Sequence, residues 1–153
     1  MDLITNVRQA NPNDVTALVE NNLALARETE NYHLNKDILR DGIEQALKRE
    51  ECHYFVALTD KIIVGQAMIT YEWSDWRNGI IWWIQSVYVL PEYRQQGIFR
   101  SIFMHMENLA RNHPQVKVLR LYVKKNNHTG QNTYQSLGMR HSGYIVYEKE
   151  NLS

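Results

Sequence analysis

Apolar positions along the chain recur at two spacings, every second residue and every third or fourth, and the switches between them mark the elements. Ile4 to Ala10 reads as a first strand, closed by Asn11-Pro12. Asn13 or Asp14 can cap a helix in which Val15, Leu18, Val19, Asn22, Leu25 and Ala26 share one face. A polar link, Glu28 to His33, leads to a second amphipathic helix over Asn35 to Glu50, with Leu39, Ile43, Ala46 and Leu47 inward. Two strand-like runs follow, Cys52 to Thr59 and Ile62 to Trp73, joined by a tight Asp60-Lys61 turn. Asn78-Gly79 is a hairpin signal ahead of Ile80 to Leu90. The three runs predict consecutive antiparallel strands.

Past Pro91 the period changes. A polar turn carrying Gly97 precedes Ile98, Ile102, Met106, Leu109 and Ala110, which fall at helical spacing. That helix runs to about Asn112 and is stopped by Pro114. Val116 to Val123 alternates as a strand, and a strand reached through a helix lies parallel to the one before it. Asn126 to Leu137 forms a short helix ending at Gly138, and Met139 to Ser142 with Tyr144 to Glu148 make the last strands. The fold class is α/β (α+β), a mixed, mostly antiparallel central sheet with helices on both faces. The expectation is a single domain over residues 1–153.

Composition narrows the function. The chain has 153 residues, enough for one real core, and its 17 basic and 17 acidic side chains cancel. No long-range field recruits nucleic acid or anionic lipid, so neither is expected as a partner. The lone Cys52 excludes an internal disulfide, reads as a small core residue, and fits a reducing cytoplasm. The N-terminus lacks a basic region followed by an apolar run, and Gln85-Ser86 interrupts the longest apolar stretch, so neither a signal peptide nor a membrane span is read. The six His show no metal-ligand spacing, and no metal is expected.

The chemistry concentrates at one junction. A strand ending Val87-Tyr88-Val89-Leu90-Pro91, a turn through Gly97, and then a helix offer unpaired N–H groups and a positive dipole end, which suit a phosphate. The run Val89-Leu90-Pro91-Glu92-Tyr93-Arg94-Gln95-Gln96-Gly97-Ile98 resembles the acetyl-CoA motif of the GNAT (Gcn5-related N-acetyltransferase) superfamily. That motif is Arg or Gln, two residues, Gly, one residue, then Gly or Ala, after a Val-x-Pro strand end. Downstream, Asn127, Gly130, Tyr134 and Gly138-Met139 resemble the family's Asn-x-x-Ala-x-x-x-Tyr-x-x-x-Gly-Phe segment. The order of elements fits the family over nearly the whole chain. Phe99 departs from it, standing where Gly or Ala is expected.

The resemblance implies an acetyl-CoA-dependent N-acetyltransferase acting on a primary amine of a small molecule or protein in a ternary complex. Acetyl-CoA is then the co-substrate, lodged where two central strands splay apart. The residues that would hold it are Val87, Tyr88, Val89, Arg94, Gln95, Gln96, Gly97, Ile98, Phe99, Arg100, Asn127 and Tyr134. A backbone N–H near Val87 to Val89 would polarise the acetyl carbonyl, and Tyr134 would protonate the departing thiolate. Family members are often homodimers, which makes a second copy an expected partner. Each residue has a plainer reading too. Tyr134 can be a half-buried aromatic, Arg94 and Arg100 solvated cations, Phe99 a core ring, and Asn127 a helix cap.

Amine attack on a thioester has one large cost. A lysine-like amine of pKa ~10.4 costs roughly 4–5 kcal/mol to deprotonate at pH 7, whereas a thiol of pKa ~8.5 leaves for about 2 kcal/mol. A base is therefore sought. Glu72, beside Trp73, Asp75, Trp76, Trp82 and Trp83, is the candidate catalytic base, with Asp75, Glu28 and Glu30 as others. The indole faces would attract an ammonium group, or else simply stabilise the hairpin as cross-strand pairs. Gln85 occupies the neighbourhood where many members of the family carry a carboxylate. Two alternatives stay open: a non-catalytic acyl-CoA-binding module, and an unrelated α/β domain with a structural Gly turn.

Overall fold

A computed structural model describes residues 5–153. Its contacts form two units, one running through Leu121 and one from Tyr122 to Ser153, and each is described by itself.

The first unit is built on one sheet. Its strands are β1 (Asn6–Gln9), β2 (Cys52–Thr59), β3 (Ile62–Ser74), β4 (Gly79–Val89) and β5 (Val116–Arg120). They lie in chain order, β1 to β4 antiparallel and β5 parallel to β4. Three helices cover the sheet: α1 (Val15–Glu30), α2 (Lys36–Ala46) and α3 (Ile98–Arg111). Period-2 alternation sorts them to opposite faces. Tyr54 and Val56 of β2 pack with Val15, Leu18 and Val19 of α1 and with Ile43 of α2. The intervening Phe55 faces His105 of α3, with ring centroids 5.5 Å apart. Ile98, Ile102, Phe103 and Met106 of α3 are all buried. The mixed sheet with helices on both faces follows the sequence pattern.

Ile4, read as the start of the first strand, lies outside the described residues. Two helix boundaries depart from the pattern, each for a local reason. The helix α1 runs through Glu28 to Glu30, because Asn31 enters the left-handed region at φ 48° and closes the helix with its own N–H. Glu28 thus sits on the last turn of α1 and not in a link. The helix α2 stops at Ala46, where the N–H groups of Lys48 and Arg49 bond back three residues instead of four. The Asn78-Gly79 hairpin forms, with residues 75–78 in the bend and Gly79 opening β4. A side chain at Gly79 would stand 2.7 Å from the Gln115 carbonyl, so glycine lets β5 approach there.

The second unit contains α4 (His128–Ser136) and no strand among the described residues. The expected strands Met139 to Ser142 and Tyr144 to Glu148 do not form. Their apolar content is real but uncovered, with Tyr144 and Tyr147 73% and 88% exposed. β-branched and aromatic residues favour a strand only where a ladder and a packing surface receive them. The expected strand Val116 to Val123 likewise ends at Arg120, where its pairing with Trp83 ends. No described helix is long and apolar enough to cross a membrane.

Candidate active site

The site begins with a defect in β4. Met68 pairs with Gln85 and Gln66 pairs with Tyr88, so Ser86 and Val87 together oppose Ala67 in a β-bulge. Ser86 takes φ 52°, a left-handed conformation costing a non-glycine residue about 1–2 kcal/mol. The fully buried Gln66 supports it, its side-chain amide donating to the Ser86 carbonyl at 2.9 Å. Beyond Trp83, β4 has no ladder with β5, so the two strands part. Leu90 donates to the Val64 carbonyl, and alternation from that bond turns the N–H groups of Val87 and Val89 away from β3. They face the opening. This is the splayed edge the sequence comparison implied.

The strand then breaks at Pro91, and Gln95 and Gly97 take φ 61° and 81° before α3 starts. The first bond within α3 runs from the Ser101 N–H to the Gly97 carbonyl, 3.0 Å. The N–H groups ahead of it have no intrahelical acceptor and aim their partial positive charge at the turn. A Cβ built on Gly97 meets no atom within 4 Å, so the turn is open above its backbone. Gln95, Gln96, Gly97 and Arg100 are exposed around this space, while Ile98 is buried beneath it. Phe99 packs near Phe103, ring centroids 6.2 Å apart, which fits the core reading of its side chain. Backbone N–H groups and an open turn fit a diphosphate.

Arg94 does not extend toward that space. Its Nε donates to the Val89 carbonyl at 2.9 Å and its Nη2 to Glu28 Oε1 at 2.8 Å, with the guanidinium 5.4 Å from the Tyr88 ring centre. The Tyr88 hydroxyl donates to the other Glu28 oxygen. One carboxylate on α1 thereby ties the end of β4 to the turn ahead of α3. Burial alone would raise the Glu28 carboxyl, but the hydrogen bonds from Tyr88 and Arg94, with the charges of Arg94 and Arg27, leave it below its usual value. Burial and the neighbouring carboxylate push the Tyr88 phenol up to about 12. A carboxylate so lowered is a poorer proton acceptor than an ordinary one, so Glu28 reads as a clamp.

The clamp carries a prediction. Exposed charge pairs contribute about 1 kcal/mol or less, so Arg94→Gln and Glu28→Gln should each weaken acetyl-CoA binding about two- to fivefold in calorimetry. Because both remove the same tie, the double variant should bind no worse than the weaker single one. Additive losses would mean that the two side chains act separately.

The candidate base lies elsewhere on the sheet. Glu72 pairs with Ile81, four β3 residues from the Met68–Gln85 pair, or roughly 13 Å along the strand. Its Oε1 accepts from the Trp83 indole at 3.2 Å and its Oε2 lies 3.7 Å from Arg120. The structure brings Glu72 together with Trp83 and Arg120, not with the bulge. Trp73 and Trp76 are exposed and Trp82 is buried against Tyr71, so the four indoles do not share one pocket. Gln85 donates its amide to Thr70.

Sequence reasoning missed the cavity beside the bulge. It measures about 340 Å³ and lies against α1, α2, β2, β3 and β4, with Asn22, Ile43, Arg49, Tyr54, Met68 and Ser86 in its wall. Asn22 donates to the Leu18 carbonyl at 2.8 Å and to the Tyr54 hydroxyl at 3.3 Å. Burial raises the Tyr54 phenol, against hydrogen bonds with Ser86 and Asn22. The available signal was a polar Asn22 on the apolar face of α1, opposite a tyrosine.

In the second unit, Asn127 caps α4, accepting from the Gly130 N–H at 2.9 Å. Tyr134 lies on the last turn of α4, and burial raises its phenol. Among the described residues no group of His, Cys, Asp and Glu is arranged to hold a metal ion.

The site thus combines a bulged strand, an edge parted from its neighbour and an open turn at the start of α3. The model of the acetyltransferase (GNAT) family matches residues 18–139, and the chain belongs to that family. Among solved structures, a possible acetyltransferase from Clostridium difficile 630 is 40% identical, with 99% of this chain and 100% of that one covered at a TM-score of 0.89. A predicted acetyltransferase from Clostridium acetobutylicum, solved with acetyl-CoA, is 19% identical over 95% and 96% of the two chains, TM-score 0.78. AAC(6')-Iy, solved with the bisubstrate analogue CoA-S-monomethyl-acetylneamine, is 20% identical over 97% and 99%, TM-score 0.77. The last two show the fold alone. Among curated proteins, none matches the chain by sequence.

Proposed function

We propose that the chain is an acetyl-CoA-dependent N-acetyltransferase that moves the acetyl group to a primary amine by direct attack in a ternary complex. The observation that carries this reading is the Ser86 bulge, which turns the Val87 and Val89 N–H groups toward the opening ahead of the Gly97 turn. One end of the site holds phosphate and the other polarises a carbonyl. The neutral amine nitrogen attacks the carbonyl carbon, forming C–N while C–S breaks, and the nitrogen's proton passes to water. The departing sulfur is protonated, the role the family resemblance gives to Tyr134, and N–H donors to the carbonyl oxygen strengthen as negative charge builds there.

The amine enters through the cavity beside Ser86. Ile43 and Met68 make part of its wall apolar, which favours the neutral amine over the ammonium. The bisubstrate analogue bound by AAC(6')-Iy supports a small-molecule amine as acceptor. The family match crosses the Leu121–Tyr122 boundary, which supports residues 1–153 acting as one acetyltransferase domain. A non-catalytic acyl-CoA-binding module is the second reading, favoured by Gln85, whose amide donates to Thr70 and cannot serve as a base. Thiol release from acetyl-CoA across a panel of primary amines, with the acetylated product identified by mass, tests the first reading. Amine-dependent release is expected. Tight acetyl-CoA binding with no release on any amine would leave the module.

A further inference from the structure

We propose that the cavity beside the bulge selects an amine that also carries a carboxylate, an amino-acid-like acceptor, with Arg49 as the carboxylate's partner. The proposal deepens the transferase reading and rests on it. Its volume of about 340 Å³ suits a molecule of amino-acid or dipeptide size. The wall mixes polar and apolar chemistry. Ser86 belongs to the β4 bulge, and the Tyr54 hydroxyl and Asn22 amide add polar contacts. Ile43 and Met68 supply apolar surface for a side chain. Among the described lining residues the ionised side chain is Arg49, so the charge the cavity offers is positive.

The guanidinium has capacity to spare. Its Nε donates to Glu51, and both side chains stay open to water, 59% and 44% exposed. Such a pair is exchangeable, and the terminal N–H groups can form the two-point contact that planar guanidinium makes with a carboxylate. A polycation entering the same space would meet a like charge. The acceptor implied by this chain's residues therefore differs from the acetylneamine group carried by the analogue in AAC(6')-Iy, whose likeness shows the fold alone.

Cys52 also lines the cavity and is the chain's one cysteine, so its alkylation reports occupancy without turnover. The experiment uses the full chain with leucine against isoamylamine, phenylalanine against phenethylamine, and spermidine as a polycation. Each amino acid should be acetylated with a kcat/KM at least tenfold above its decarboxylated partner, and the gap should close to within about threefold in Arg49→Gln. The amino acids should also slow alkylation of Cys52 by iodoacetamide, followed by intact mass, in the wild-type chain and not in Arg49→Gln. Equal rates within a pair, preference for spermidine, or unprotected Cys52 would overturn the proposal. Protection of Cys52 by amino acids without acetyl transfer would keep the pocket assignment and overturn the transferase reading instead.

Discussion

Gly97→Glu should lower acetyl-CoA affinity at least 100-fold in calorimetry while the variant remains folded. Two costs are separable. The first is backbone strain, since Gly97 has φ 81° and a side chain there costs about 1–2 kcal/mol. That cost is paid in the free protein, and Gly97→Ala should show it as a lowered Tm with modest loss of binding. The second arises only with ligand. A Cβ at Gly97 meets no protein atom within 4 Å, so any steric or electrostatic penalty beyond strain reports on what occupies the open turn. A carboxylate about 4 Å from a phosphate charge is repelled by roughly 4 kcal/mol at an effective dielectric near 20, and a 100-fold loss needs only about 2.7 kcal/mol. Affinity should fall in the order Ala, Gln, Glu, with Gly97→Gln separating bulk from charge. If Gly97→Glu binds as Gly97→Ala does, the turn is not the phosphate site.

Much of this arrangement is legible before any coordinates. The period-2 runs at Cys52–Thr59 and Ile62–Trp73 and the switch to helical spacing at Ile98 are local signals, and the sheet realises them within a residue. The Gly97 turn is legible for the same reason, since turn geometry depends on residues adjacent in sequence. Three features are not. The Ser86 bulge uses a serine where glycine would have signalled positive φ, and it is supported by Gln66, twenty residues away. The acidic charge of Glu28 reads equally as base or clamp until Tyr88 and Arg94 are seen on both its oxygens. The Tyr144–Tyr147 run has strand composition, but composition cannot say whether a neighbouring edge receives it.

Removing the Tyr134 hydroxyl should lower turnover about 30- to 100-fold at pH 7 and leave acetyl-CoA affinity nearly unchanged. The substitution is structurally mild. Tyr134 is on the last turn of α4, and its backbone carbonyl accepts the N–H groups of Leu137 and Met139 at 3.1 and 3.0 Å. Those bonds, with Gly138 at φ 90°, close the helix whatever the ring carries. Tyr134→Phe thus deletes the hydroxyl and keeps the ring. Burial raises the phenol, so the wild-type hydroxyl stays protonated through the neutral range and can donate. The size of the effect follows from the leaving group. A thiolate of pKa ~8.5 costs about 2 kcal/mol to expel at pH 7, roughly a 30-fold effect, so the donor's contribution lies at or just below the lower bound of the 10²–10⁴-fold range for general acids. The same reasoning fixes the pH dependence. Above the thiol's own pKa the thiolate leaves without help, so the deficit of Tyr134→Phe should be largest below about pH 8 and shrink toward pH 9.5. Rate–pH profiles of the two proteins on one amine measure it. A deficit that is constant across pH, or that appears in acetyl-CoA affinity instead of turnover, would assign Tyr134 to packing or binding and leave the thiolate to be protonated by water.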